Sequence, residues 1–310
     1  MIMQKIIAML LCSSLLFACQ CPCEEEKAAR DPAPRTIESL IANLEDAEND
    51  EIMVVAHRGD WRNFPENSLA AIQSCIDLGV DMVEIDVRMT KDEVLVLMHD
   101  ETLDRTTTGQ GRISDWTYDS LQSLRLLDGL GIPTDHTIPT LEEALLVAKD
   151  QILINLDKSY PIFDRCFAIA EQTGTLHQMV IKGAKSRSEV EAEFGTYLDQ
   201  VYFMPIIRLP DPQADSIIQD YLDHRVPVAF EFTVPSDTIS TLARFADIRA
   251  AGAGVWVNSL WSYHCAGHDD RRAARDPQTY DWFIQRKIDM IQTDRPALLI
   301  DYLTQKQLHL

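Results

Sequence analysis

The feature that most limits how this chain can fold is a rhythm. From residue 51 onward, short apolar runs alternate with amphipathic stretches. The candidate strands are 52–56 (IMVVA), 80–87 (VDMVEIDV), 94–98 (VLVLM), 152–156 (ILINL), 178–182 (QMVIK), 200–204 (QVYFM), 227–232 (PVAFEF), 254–257 (GVWV) and 288–292 (IDMIQ). Helical spacing fills 67–78, 140–149, 161–173, 186–194, 212–224, 237–250 and 278–286, and Thr140 with Glu143 forms a capping-box signature before Leu141. Strands separated by one helix each imply βαβ units and a parallel sheet. About eight such units in roughly 250 residues predict an α/β fold of the (β/α)8 TIM-barrel type rather than an open sheet. No Gly-x-Gly-x-x-Gly opens the first helix, which argues against a dinucleotide-binding sheet. The stretch 99–139, with Thr106-Thr107-Thr108 and several polar turns, breaks the rhythm and is expected to be a small insertion over the barrel mouth.

The N-terminus reads as an address. Residues 1–18 carry one charge, Lys5, followed by the apolar run Ile6 to Ala18. That run is shorter than the roughly 20 residues a spanning helix needs, and it has the form of a secretory signal. Leu16-Phe17-Ala18-Cys19 resembles a bacterial lipobox, which implies cleavage before Cys19 and a lipid on that residue. Residues 19–50 are then expected to form an acidic tether with room for one helix, and 51–310 the barrel domain. The expected location is a bacterial cell envelope, lipid-anchored and facing the periplasm or the outside. Cys75, Cys166 and Cys265 lie one in each third of the domain and make no disulfide framework. Lys and Arg number 28 against 49 Asp and Glu, a formal charge of −21. That balance opposes a nucleic-acid partner, which needs a basic face. A small phosphorylated substrate needs only a local positive site. No protein partner is indicated.

In such a barrel, chemistry sits where strands end and βα loops begin. Reactive side chains gather at those places here: His57-Arg58, Glu84 and Asp86, His99-Asp100, Asp157-Lys158, Lys182, Glu231 and Thr293-Asp294. Glu84 and Asp86 are two apart, so a strand points both to one face. Two histidines can exchange protons with two oxygens near neutral pH. Carboxylates at one focus suit a hard cation such as Ca²⁺ or Mg²⁺, which stabilises charge at phosphorus. Arg58 offers a planar fork that matches phosphate. This set of groups points to phosphoester chemistry.

The runs Ala56-His57-Arg58-Gly59, Pro65-Glu66-Asn67-Ser68, Glu84-Ile85-Asp86-Val87 and His99-Asp100 resemble the glycerophosphodiester phosphodiesterase family. Leu103-Asp104-Arg105-Thr106-Thr107, Ile138-Pro139-Thr140-Leu141 and Thr293-Asp294-Arg295-Pro296 agree with it, so the resemblance covers about residues 52–303. It implies a TIM barrel, one divalent metal ion, Ca²⁺ or Mg²⁺, and hydrolysis of small glycerophosphodiesters to glycerol 3-phosphate and an alcohol. It also implies that His57 and His99 are the acid–base pair, Glu84 and Asp86 metal ligands, and Arg58 a phosphate contact. The substrate's 2-hydroxyl would be the nucleophile, giving a cyclic phosphate that water opens.

The chain departs from the family at the fourth strand, where Asn155-Leu156-Asp157-Lys158 replaces the usual Glu-x-Lys. Asp157 is expected as third metal ligand and Lys158 as a substrate contact, although a regular strand points neighbours to opposite faces. A bulge or the strand's end could re-aim one of them. Trp256, in Val255-Trp256-Val257-Asn258, is expected as a substrate-binding wall. The loop 261–270 (WSYHCAGHDD) is expected to shape the pocket, since His264, Cys265 and His268 are too few for a closed zinc site. Two other functions fit the same residues: a phospholipase-like enzyme acting on lysolipids or phosphoinositides, and a surface lipoprotein that binds phosphorylated ligands without turnover.

Overall fold

A computed structural model describes residues 35–309. The expected signal segment and Cys19 lie outside the described residues. In chain order the strands are β1 (Met53–His57), β2 (Met82–Met89), β3 (Leu95–Leu97), β4 (Leu153–Asp157), β5 (Met179–Gly183), β6 (Tyr202–Arg208), β7 (Ala229–Thr233), β8 (Gly254–Asn258) and β9 (Met290–Thr293). The helices are α1 (Ile37–Glu45), α2 (Leu69–Leu78), α3 (Tyr118–Leu121), α4 (Leu141–Ala148), α5 (Phe163–Thr173), α6 (Arg187–Phe194), α7 (Ala214–His224), α8 (Arg244–Ala250), α9 (Asp270–Ala273), α10 (Asp281–Gln285) and α11 (Pro296–Gln305). Thr140 and Glu143 cap α4 reciprocally, as their spacing predicts.

All strands but β3 run parallel and close in the order β1-β9-β8-β7-β6-β5-β4-β2. β1 pairs back onto β2, with Val55 opposite Met82 and His57 opposite Glu84. This is the expected (β/α)8 barrel. β3 is not one of its staves: it lies antiparallel on the far end of β2, Val87 facing Leu97 and Met89 facing Leu95. His99 therefore leaves from a hairpin beside the barrel, not from the end of a barrel strand.

The two-residue period of each strand divides the core in two. Val54, Ala56, Val83, Ile85, Ile154, Leu156, Phe230, Phe232, Val255 and Val257 share one cluster with the buried faces of the helices. Met53, Val55, Met82, Leu153, Val180, Met204, Ala229, Trp256 and Met290 form a second cluster inside the barrel. Continuing each inner row toward the strand's C-terminus changes its chemistry, because alternate residues keep to one face. Met53 and Val55 lead to His57, Met82 to Glu84 and Asp86, and Leu153 to Asn155 and Asp157; Val180 leads to Lys182 and Ala229 to Glu231. The barrel is apolar at one end and ionic at the other.

The apolar end is closed by α1, whose Ile37, Leu40 and Leu44 pack into the inner cluster. A tether reaching residue 50 is thus corrected: Ile37–Glu45 belongs to the barrel as its plug, because one helical face within the acidic composition is apolar. Asp81 locks this end. Its buried carboxylate accepts from Val54 N at 2.6 Å, Arg35 Nη2 at 2.6 Å and His309 Nε2 at 2.9 Å, joining both ends of the described chain to β1. The insertion after β3 has its own small core of Val96, Met98, Leu103, Ile113, Leu121, Leu126 and Ile138. No helix among the described residues is long and apolar enough to cross a membrane.

Candidate functional site

The site is built at the ionic end. After His57 the chain turns through Arg58 and Gly59, with φ of +57° and +78°. A Cβ at position 59 would lie 2.7 Å from that of Ala71, so only glycine fits this turn against α2. The turn aims the Arg58 N–H at Glu84 Oε2, 2.8 Å away, and folds the guanidinium over the mouth. There Arg58 Nη1 donates to Glu66 at 3.1 Å, and Nε lies 3.7 Å from Asp86 Oδ2. Asn67, also at positive φ, clamps Asp86 twice: its Nδ2 donates to Oδ2 and its Oδ1 accepts from the Asp86 N–H, both at 2.9 Å.

Asp157 ends β4, and Lys158 leaves the strand at φ +57°. That break is what lets adjacent residues serve one site. Asp157 turns inward, while Lys158 Nζ comes back to 3.7 Å from Asp86 Oδ1. Glu84, Asp86 and Asp157 each offer an oxygen, and these lie within 4.8 Å of one another. Asp86 is fully buried, yet its Oδ1 has no hydrogen-bond partner. Burial, then the charge of Asp86, pushes the Glu84 carboxyl well above its ordinary range. Burial also raises Asp157, but Lys182 and Lys158 outweigh it and hold that carboxyl down at about 2. Crowded buried carboxylates with an oxygen left unpaired are an arrangement short of positive charge. All three donors are hard oxygens, which fit a hard divalent cation.

Lys182 is part of the same ionic floor. Its buried ammonium lies 3.4 Å from Glu231 Oε2 and 3.6 Å from Asp157 Oδ2. Glu231 is held in turn by Asn258 Nδ2 at 2.8 Å, and Asn258 Oδ1 accepts from Trp256 Nε1 at 2.6 Å. Trp256 is 0% exposed and belongs to the inner apolar cluster. The expectation that it walls the substrate cleft is therefore corrected. It lies one inward layer below Asn258 and supports the floor from beneath.

Each histidine carries a carboxylate on Nδ1. His57 Nδ1 is 2.8 Å from Asp294 Oδ1, and because an ionised carboxylate only accepts, the ring donates there and keeps Nε2 free. Burial alone would lower the His57 pKa, but the hydrogen bond to Asp294 and the charge of Glu84 outweigh it and raise it. Asp294 also accepts from Trp61 Nε1 at 2.7 Å. Its loop is fixed by Asp270, whose buried carboxylate accepts from Asp294 N at 2.6 Å, Ser259 Oγ at 2.8 Å, Thr293 Oγ1 at 2.8 Å and Tyr280 OH at 3.0 Å. His99 Nδ1 is 2.6 Å from Asp100 Oδ1, but Asp100 is also bound by Arg105 at 2.7 and 3.1 Å. Arg105 reaches Glu66 as well, at 2.7 and 2.8 Å, so the insertion is tied to the mouth. Burial, chiefly, lowers the His99 pKa.

The sequence names Asp294, Glu66, Asn67 and Arg105 as motif residues without giving them tasks, and Asp270 only as the end of a loop. Their tasks appear in contacts such as His57–Asp294, which spans 237 positions. In the 261–270 loop, His268 stacks on Trp282 at 5.1 Å, while Cys265 is buried with its Sγ 3.4 Å from Trp261 O. Among the described residues these do not assemble with His264 into a metal cluster.

The fold and this rim define a (β/α)8 barrel with two carboxylate-bound histidines beside a three-carboxylate focus. Residues 57–205 match the model of the glycerophosphoryl diester phosphodiesterase family, and residues 203–303 match that of a domain of unknown function. Over 107 residues the chain is 42% identical to the glycerophosphodiester phosphodiesterase of Caldanaerobacter subterraneus, covering 34% of this chain and 44% of that one. Over 99 residues it is 42% identical to glycerophosphodiester phosphodiesterase 1 of Homo sapiens, covering 31% and 30%. The match thus spans less than half the length of these relatives. A crystal structure of a glycerophosphoryl diester phosphodiesterase from Parabacteroides distasonis superposes with a TM-score of 0.72 at 25% identity, over 88% of this chain and 93% of that one. An Oleispira antarctica phosphodiesterase, solved in complex with the product sn-glycerol-3-phosphate, shares the fold with a TM-score of 0.62 at 20% identity, over 84% and 99%. The family-model match, the relatives and the shared barrel together support the glycerophosphodiester phosphodiesterase family of TIM barrels for this chain.

Proposed function

We propose that this protein hydrolyses glycerophosphodiesters to glycerol 3-phosphate and an alcohol, using one divalent metal ion, Ca²⁺ or Mg²⁺. The observation that carries this reading is the pair of carboxylate-bound histidines beside the buried cluster of Glu84, Asp86 and Asp157. Arg58 and Lys158 are the groups that would bind phosphate oxygens, and Arg58 Nε has no hydrogen-bond partner of its own. The family match and the glycerol 3-phosphate bound by a relative of the same fold support the product class. A binding protein without turnover would draw its support from the changed motif at the fourth strand alone. Asp157 and Lys158 both reach the mouth, which removes that support.

The partners of the two histidines support a division of roles. Asp100 is matched by Arg105, so it does little to hold a proton on His99, and His99 acts as the base. The Asp294 carboxylate meets no guanidinium closer than Arg62 Nη2 at 3.6 Å, so its charge supports a protonated His57, the acid. His99 takes the proton of the glycerol 2-hydroxyl, whose oxygen attacks phosphorus. The bond to the alcohol oxygen breaks, and His57 gives that oxygen its proton. Water then opens the cyclic phosphate with the roles reversed, His57 taking a proton from water and His99 returning one to the 2-oxygen. Glu84, Asp86 and Asp157 would hold the divalent ion, which would supply positive charge to the phosphate oxygens.

On sequence grounds we also propose that the protein is exported and anchored by a lipid on Cys19. Glycerol 3-phosphate released from glycerophosphocholine tests the reaction. His57→Ala and His99→Ala should each lower kcat by about 10²–10⁴. Undiminished turnover in either variant would remove that residue from the mechanism.

A further inference from the structure

We propose that Trp261 and Tyr263 form a recognition surface for a quaternary-ammonium leaving group, so that the preferred glycerophosphodiesters carry a choline-like alcohol. This rests on the reaction assigned above and names its substrate class. Trp261 is 45% exposed and Tyr263 56% exposed. Their rings are parallel, 7° apart with centroids 6.3 Å apart, and the His264 ring stands edge-on to both at 5.1 and 4.2 Å. The surface adjoins the reaction, because the Trp261 ring meets His57 edge-to-face at 5.9 Å. His57 gives its proton to the leaving oxygen, so the group carried by that oxygen emerges beside Trp261.

The exposure of these rings is built in. The 261–270 loop is fixed to the end of β7: Val234 N donates to His264 O at 2.9 Å, and Ala266 N to Val234 O at 2.6 Å. His264 N closes back on Trp261 O at 2.9 Å, and Cys265 anchors the loop from inside. Two large aromatic rings are thus left about half exposed on a fixed backbone. Three other tryptophans already carry a cation of this chain: Arg62 lies over Trp61 at 4.4 Å, Lys182 over Trp256 at 5.9 Å and Arg286 over Trp282 at 4.3 Å. Among the described residues, no Lys or Arg covers Trp261 or Tyr263. Aromatic faces attract weakly hydrated cations most, and a quaternary ammonium is such a cation with no hydrogen bonds to satisfy. The His264 pKa is lowered to about 4, chiefly by burial, so at neutral pH this ring adds no opposing charge.

The test compares kcat/KM for glycerophosphocholine, glycerophosphoethanolamine and glycerophosphoglycerol in wild type, Trp261→Ala and Trp261→Phe. Wild type should favour choline over glycerol, and Trp261→Ala should shrink that ratio about tenfold, mainly through KM. Trp261→Phe should restore part of it. Taking the ratio cancels any general effect of the contact with His57. Equal kcat/KM for the three substrates, or a ratio unchanged in Trp261→Ala, overturns the proposal and leaves the reaction standing. Absence of turnover with all three overturns the reaction itself. Tryptophan fluorescence titrated with tetramethylammonium then decides the surface alone: saturable quenching lost in Trp261→Ala supports it, and no quenching overturns it.

Discussion

Replacing Asp294 by Asn probes the assignment of His57 as the acid. The amide oxygen of Asn can still accept from His57 Nδ1 and Trp61 Nε1, which now lie 2.8 and 2.7 Å from Asp294 Oδ1, so the ring should stay in place. What disappears is the negative charge that holds the His57 pKa up against burial. A hydrogen bond to a charged partner is worth about 1–1.5 kcal/mol more than a neutral one, which corresponds to about one pKa unit. An acid must be protonated to act, so its titration is the alkaline limb of the pH–rate profile. Lowering its pKa moves that limb to lower pH. The assay is kcat/KM for glycerophosphocholine from pH 5 to 9, in wild type and Asp294→Asn at fixed metal concentration. The alkaline limb should move down by about one unit, and the rate above it should fall roughly tenfold. An unmoved alkaline limb, or an acid limb that moves instead, would show that His57 is not the acid.

Further expectations concern the scaffold. Lys182→Met leaves Glu231 and Asp157 without the ammonium now 3.4 and 3.6 Å from them, so stability in urea should fall by about 3–5 kcal/mol, and a divalent ion should recover part of the loss. Asp81→Asn should also destabilise, by about 2–4 kcal/mol at pH 7, because three donors lose a charged acceptor. Its carboxyl is held below the ordinary value, against burial, by His309 and Arg35. That stabilisation is therefore complete above the unfolded-state value near 3.9 and is lost as pH falls through the folded-state value. The difference between wild type and variant, followed by denaturant titration, should narrow below about pH 4; a gap unchanged at pH 3 would contradict the coupling.

Much of the site is legible in the sequence because the barrel repeats one rule. Alternation places Glu84 and Asp86 on one face, and strand ends place His57, Asp157 and Lys182 on one rim. The misreadings have physical causes. The run 94–98 is as apolar as a barrel strand, since a hairpin packed on the outer end of β2 is buried too. Trp256 sits on the correct face, but alternation gives the face and not the depth, and Asn258 occupies the layer above it. The Ile37, Leu40 and Leu44 spacing of α1 is overshadowed by the acidic residues around it. Asp270 and Asp294 act across long stretches of chain, and no local pattern marks such a contact.

The central claim is that the three-carboxylate focus holds an ion needed for phosphodiester cleavage. Its most direct test is glycerol 3-phosphate production from glycerophosphocholine by protein stripped with EDTA and reloaded with Ca²⁺ or Mg²⁺, beside Asp86→Asn treated alike. Asp86 carries the buried oxygen without a partner, so its loss should matter most. Product should vanish on stripping and return on reloading in the wild type. Asp86→Asn should need a far higher metal concentration or stay inactive. Full activity after stripping, or an Asp86→Asn variant with the metal dependence of the wild type, would contradict the account.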